Sequence, residues 1–246
     1  MDKLIYTAMS GATQAMQQQA SVANNLANAT TTGFRAEKLT FQSLPITGDG
    51  SPTRVFVMDA QVGANLKPGI IQQTGRDLDV AVDGPGWLTV ETADGSEAYT
   101  RNGSLQVNAN GVLQTQGGLN VVGAGGPITI PPDTQVTIGK DGTVSALQNG
   151  NLRNAVQILG RLKLVNPPET DLAKGGDGLF HLKAGADADA DPTVTVSGGA
   201  LESSNVNVVE AMVNMIQLGR QFDMQMKLLT NAQSNASQAA QLLQNF

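Results

Sequence analysis

Trp87-Leu88-Thr89-Val90-Glu91-Thr92-Ala93-Asp94-Gly95-Ser96-Glu97-Ala98-Tyr99-Thr100 reads as two short strands joined by an Asp-Gly turn. The same design recurs downstream. Leu105-Gln106-Val107 leads through Asn110-Gly111 to Val112-Leu113, and Val136-Thr137-Ile138 leads through Asp141-Gly142 to Thr143-Val144. Asn-Gly and Asp-Gly are favoured in type I′ hairpin turns, where both central residues need positive φ. The spacing therefore predicts an antiparallel β domain over residues 78–200. Pro167-Pro168 and the run Asp187 to Pro192 read as surface loops, and Asp191 to Ser197 as a last strand. Upstream, Pro45, Pro52 and Pro68 interrupt any regular pattern, so residues 34–77 read as an extended, irregular connector. Within it, only Val55-Phe56-Val57 reads as a pairing strand.

Further outward the period changes. Ile5, Met9, Ala12, Met16, Ala23 and Leu26 fall at alternating steps of four and three, with Gln19 as the polar step. Val208, Met212, Met215, Gly219, Phe222, Met226, Leu229, Ala236, Ala240 and Leu243 follow the same rhythm, with Gln233 as the polar step. A four-and-three rhythm is the a/d seam of a coiled coil. At 1.5 Å per residue the C-terminal helix would run about 60 Å and the N-terminal one about 40 Å. The expected class is α+β: residues 1–33 and 201–246 form long helices paired as an antiparallel coiled coil, beside the central all-β domain.

The ends are unusual in charge. No Asp, Glu, Lys or Arg lies between Leu4 and Phe34, and none follows Lys227. A helix facing water normally carries charged pairs on its outer face. Here Gln, Asn, Ser, Thr and Ala take those positions, which points to helices surrounded by copies or relatives of themselves, with an ordinary intramolecular helical hairpin as the alternative. Roughly 18 consecutive apolar residues would be needed to span a bilayer, and neither end approaches that, so no lipid insertion is expected. The first thirty residues also lack the apolar run of a cleavable signal peptide, with Gln17-Gln18-Gln19 in its place.

Composition excludes several chemistries. The 246 residues carry net charge −6, one histidine and no cysteine. Nucleic acid is a poor partner for an acidic chain, because phosphate binding needs clustered Lys and Arg. Thiolate sites and multi-histidine metal centres are ruled out. Asp187-Ala188-Asp189-Ala190-Asp191 opens like a calcium loop but has Pro192 at the sixth position and Gly198 at the twelfth, where Gly and Glu are needed. Gly123-Ala124-Gly125-Gly126 precedes Pro127 rather than a helix, so it is a turn and not a dinucleotide cradle. His181 lies in an alternating strand-like run. No catalytic residue, metal ligand or cofactor is expected.

Asn24-Asn25-Leu26-Ala27-Asn28 is costly at a helix end, since Asn competes with the backbone for hydrogen bonds. The two readings are a helix cap and an amide network fixing register between neighbouring helices. Followed by Thr32-Gly33-Phe34-Arg35, this stretch resembles the signature of the axial (rod and hook) proteins of the bacterial flagellum. Glu202-Ser203-Ser204-Asn205-Val206-Asn207, then Met215-Ile216, Arg220, Phe222 and Lys227, resembles that family's C-terminal motif. Leu78 to Trp87 and Tyr99-Thr100-Arg101-Asn102-Gly103 resemble its core β segment. Met1 to Met9 and Gly160 to Pro168 look most like the proximal-rod branch, with the distal-rod branch the nearest alternative.

The resemblance implies a non-enzymatic subunit that polymerises helically with copies of itself and other rod proteins, forming part of a hollow, torque-transmitting shaft. It also implies delivery by the flagellar type III export apparatus and a place in the basal-body rod within the periplasmic space. The residues it assigns to assembly are Ile5, Met9, Met16, Asn24, Asn25, Leu26, Asn28, Gly33, Phe34, Asn205, Val206, Asn207, Met212, Met215, Arg220, Phe222, Met226, Leu229 and Leu243. A secreted β-rich adhesin and a small-molecule binding module are the alternatives from other classes. The first predicts an apolar leader or anchor, the second an aromatic-lined pocket.

Overall fold

The computed structural model describes residues 2–45, 55–148, 156–183, 185 and 187–244. The side chains at 2–4, 42–45, 55–62, 239–240 and 242–244 lie outside that description, so Leu243 is placed only by its backbone and Pro52 not at all. The chain divides into two compact units. One comprises Met1–Ala29, Glu37–Asn65 and Val206–Phe246; the other comprises Thr30–Ala36 and Leu66–Asn205.

In the first unit, helix α1 (Asp2–Ala27) packs against helix α2 (Val208–Gln244). Strands β1 (Glu37–Pro45) and β2 (Val55–Ala64) pair antiparallel, from Glu37 opposite Ala64 to Pro45 opposite Val55. Their register shifts between Thr40 and Gln42, and α1 packs on both strands.

The helices pair, but the expected coiled coil is not what they form. Their buried residues are Ala8, Ala12, Ala15, Ala211 and Ala232. Of the predicted seam, Met9, Met16, Met212 and Met226 remain 52, 58, 50 and 43% exposed. Alanine has no side chain long enough to act as a knob, and it allows backbones to approach closely. At Gly11 the Gln225 side chain already stands 3.0 Å from where a Cβ would lie. These four methionines keep the right period but lie outside the buried alanine stripe. The architecture is thus mainly β, with two α-helices among the described residues, rather than an α+β fold built on a coiled coil.

The second unit is antiparallel throughout. Its strands are β3 (Ile71–Gln73), β4 (Val80–Asp83), β5 (Trp87–Glu91), β6 (Glu97–Thr100), β7 (Leu105–Val107), β8 (Leu113–Thr115), β9 (Asn120–Gly123) and β10 (Gly126–Pro127). They continue with β11 (Thr134–Ile138), β12 (Thr143–Gln148), β13 (Val156–Arg161), β14 (Leu164–Val165), β15 (Leu172–Lys174), β16 (Phe180–Leu182), β17 (Thr195–Gly198) and β18 (Ala200–Glu202). The main sheet runs β15-β16-β6-β5-β9-β8-β7, with β10 on β9 and β14 on β5. A three-stranded sheet runs β11-β12-β13, and the pairs β17-β4 and β18-β3 join the last strands to the first. One apolar cluster fills the interior, with Leu88, Val90, Leu105, Leu113, Val121, Val144, Leu164 and Val196 among its residues. Alternation supplies it: in β12, Val144 and Ala146 are buried and Thr143 and Ser145 are not.

The three predicted turns occur where expected, with a different geometry. Gly95, Gly111 and Gly142 have positive φ, but Asp94, Asn110 and Asp141 do not. The glycine N–H closes each turn onto the carbonyl three residues earlier, at Thr92, Asn108 and Gly139. That is a type I turn followed by a left-handed glycine, the three-residue hairpin with a bulge. No helix among the described residues is long and apolar enough to cross a membrane.

Candidate functional site

Arg35, Trp87, Arg101 and Glu202, each from a segment quoted for the family resemblance, meet inside the β unit. Glu202 ends β18 opposite Ile71, and its carboxylate is buried. Its Oε1 lies 2.7 Å from Arg35 Nη2 and accepts a 2.7 Å hydrogen bond from the Gly69 N–H. Its Oε2 accepts a 3.1 Å hydrogen bond from Arg101 Nη1. Arg101 also donates to the carbonyls of Val82, at 3.2 Å, and Gly84, at 2.7 Å. Both guanidiniums lie over the ring of Trp87, with Cζ 5.9 Å from its centroid for Arg35 and 5.4 Å for Arg101. Phe180 packs against the same indole, ring centroids 4.5 Å apart.

Two cations thus share one carboxylate, and the electron-rich indole face offsets part of the excess charge. Burial pulls the Arg101 guanidinium below its ordinary value; Glu202 opposes that shift and the Arg35 charge adds to it. Among the described residues, Arg35 Nε and Nη1 and Arg101 Nε have no hydrogen-bond partner. The Arg35–Glu202 contact itself is an ion pair made without a well-directed hydrogen bond.

Glycines allow the chain to close this tightly. A Cβ at Gly33 would stand 2.3 Å from the Arg101 carbonyl carbon, and Gly33 also needs φ of +68°. At Gly69 it would stand 2.0 Å from the Ser203 oxygen, and at Gly103 1.7 Å from the Val80 oxygen. Asn205 ties the same region: its Oδ1 accepts from Ala36 N–H at 2.8 Å and its Nδ2 donates to the Lys67 carbonyl at 2.8 Å. The Lys174 ammonium sits 4.2 Å from the centroid of Phe34.

In the helical unit, Asn25 binds the backbone of Glu37 through both amide atoms, and Asn28 Nδ2 donates to the Asn24 carbonyl at 3.0 Å. Asn207 caps α2, its Oδ1 accepting from Val209 N–H at 3.1 Å and Glu210 N–H at 3.2 Å. These asparagine contacts are made within the chain. Ile5, Leu26, Val206, Met215, Phe222 and Leu229 are half-buried, and Asn24 and Arg220 are exposed. The exposed apolar surface of the unit instead includes Tyr6, Met9, Met16, Val209, Met212 and Ile216.

The charge cluster was not a sequence-level site. Its signal was Arg35, the first charge after an uncharged run of about thirty residues, beside a glycine and an aromatic.

Residues 5–35 match the family described as flagella basal body rod protein. Residues 81–146 match the flagellar hook protein FlgE/F/G D1 domain, and residues 197–242 match the flagellar basal body rod FlgEFG protein C-terminal family. The chain is 48% identical to the flagellar basal-body rod protein FlgF of Escherichia coli, over 99% of each chain. It is 47% identical to FlgF of Salmonella typhimurium over the same shares. The flagellar basal-body rod protein FlgG of Agrobacterium fabrum is 34% identical over 88% of this chain and 90% of that one.

Proposed function

The chain belongs to the flagellar basal-body rod proteins, and from that premise we propose that this structural subunit polymerises through its terminal helices. Other rod proteins and further copies of the chain are the partners, in the proximal part of a hollow shaft that carries torque across the periplasmic space. Delivery by the flagellar export apparatus belongs to the same proposal. The adhesin reading finds no support among the relatives, which are rod proteins.

The observation that carries the reading is the surface of the helix pair. Met9, Met16, Met212 and Met226 are exposed, the first two on a helix with no Asp, Glu, Lys or Arg after Lys3, where a solvated helix would carry ion pairs. Contiguous exposed apolar surface marks an association surface. Small residues on the buried side hold the two helices together, which leaves the larger side chains for neighbouring subunits.

Met16→Asp and Met226→Asp test it. Both positions are exposed on the single chain, so each variant should keep its stability to within about 0.5 kcal/mol. In the assembled rod each carboxylate would be buried without a partner, so the folded variants should be missing from isolated basal bodies and the cells non-motile. Normal swimming with both variants incorporated would refute helix-mediated polymerisation.

A further inference from the structure

We propose that residues 30–36 form a detachable strap, seated on the β unit by Arg35 between Trp87 and Glu202, which opens and closes without unfolding the sheets beneath. The inference does not depend on the rod reading.

The strap belongs to the β unit yet takes no part in its ladders, since none of residues 30–36 lies in a strand. Few backbone groups hold it. Gly33 N–H donates to the Glu202 carbonyl at 2.7 Å, and Ala36 N–H to Asn205 Oδ1 at 2.8 Å. The Phe34 carbonyl accepts from Asn205 N–H at 3.3 Å, and the Arg35 carbonyl from Lys174 Nζ at 3.3 Å. Phe34 adds its ring against the Lys174 ammonium, and Arg35 supplies the charged anchor.

That side chain is the less satisfied of the two arginines. Arg101 donates to Glu202 and to two carbonyls, and it would remain a neutral pair with Glu202 if Arg35 left. Arg35 adds a second positive charge to a carboxylate already holding Arg101 and the Gly69 N–H. Nε and Nη1 of Arg35 have no hydrogen-bond partner among the described residues, so their lost hydration is returned only in part, chiefly by the indole face. Opening rehydrates Arg35, leaves a balanced Arg101–Glu202 pair and bares one side of Trp87. Opening therefore removes an ill-compensated charge and breaks no strand pairing. Local openings of this kind lie well below global unfolding in free energy. Because the strap directly follows α1 in the chain, its seating gives the β unit two states that differ in how its N-terminal entry is held.

Amide hydrogen exchange on the full-length protein tests this. The Gly33 and Ala36 amides should exchange at least about tenfold faster than the amides of Leu113 and Leu162, which bond to the carbonyls of Ile128 and Gly142. Trp87 is the single tryptophan and Arg35 lies over its ring, so in the folded protein its quenching responds to the seating of the strap. Arg35→Ala should raise acrylamide quenching of Trp87 at least about twofold while the β-sheet circular dichroism stays unchanged. Exchange of Gly33 and Ala36 at the same rate as Leu113 and Leu162 would overturn the proposal. So would unchanged quenching in Arg35→Ala, or loss of the sheet signal in that variant.

Discussion

The side chain of Asn25 and the backbone of Glu37 form a closed pair: Oδ1 accepts the Glu37 N–H at 2.7 Å and Nδ2 donates to the Glu37 carbonyl at 3.0 Å. A side-chain amide carries donor and acceptor side by side in one plane, as a peptide unit does, so it can stand in for a neighbouring strand. The pair joins the last turn of α1 to the first residue of β1.

Asn25→Asp keeps the shape but turns the donor into a second acceptor facing the Glu37 carbonyl. Losing one partly buried hydrogen bond and setting two oxygens against each other should cost about 1–2 kcal/mol. Asn25→Ala, which loses both bonds, should cost about the same or slightly more. Urea unfolding followed by helical circular dichroism would show the loss; an unchanged midpoint in both variants would mean the pair contributes nothing.

Glu202→Gln should be far more damaging. The substitution is nearly isosteric, yet it leaves two buried guanidiniums facing a neutral amide. Removing one side of a buried ionic cluster typically costs about 3–5 kcal/mol. Trp87 fluorescence during urea unfolding should show that fall in the stability of the β unit. A loss below about 1 kcal/mol would mean that the carboxylate is not what balances the arginines.

Glycine substitutions separate close approach from backbone conformation. Gly118 has φ of +83° with nothing within 4 Å of a Cβ, so Gly118→Ala should cost only the left-handed strain of about 1–2 kcal/mol. Gly103→Ala would drive a methyl to 1.7 Å from the Val80 oxygen and force β4 away, which should cost about 4 kcal/mol or more. Thermal unfolding of the two variants side by side checks the order, and equal shifts would contradict the collision.

Much of this was legible in the sequence because it is local. The Asp94-Gly95 and Asp141-Gly142 turns were placed because glycine supplies positive φ wherever the chain reverses. Their type differs from the expected I′ because the residue before the glycine stays in the ordinary region, and dipeptide identity does not reveal that. The helices were legible from period, but period does not say which face meets which partner. Ala8, Ala12 and Ala15 and the exposed Met9 and Met16 share one rhythm, one position apart for Ala8–Met9 and Ala15–Met16. The charge cluster was illegible because it is assembled from residues 35, 87, 101 and 202, and no local pattern records a contact across 167 positions of chain.

The Asp94 turn gives a prediction in pH. A hydrogen bond from the Thr92 hydroxyl, then bonds from the Ser96 hydroxyl and N–H, hold the Asp94 carboxyl at about 2, below its ordinary 3.8. The folded value is the lower one, so between these values the unfolded turn binds more protons than the folded one. The stabilisation is therefore fully present above the ordinary value and is lost as pH falls toward the folded value. An NMR titration should find the Asp94 carboxyl with a midpoint near 2, and the Ser96 and Gly95 amides should lose protection from about 3.8 down to about 2. Asp94→Asn keeps an oxygen acceptor but no titration, so that part of the acid dependence should vanish. A midpoint near 3.8 would show that the hydroxyl bonds do not favour the charged form over the neutral one.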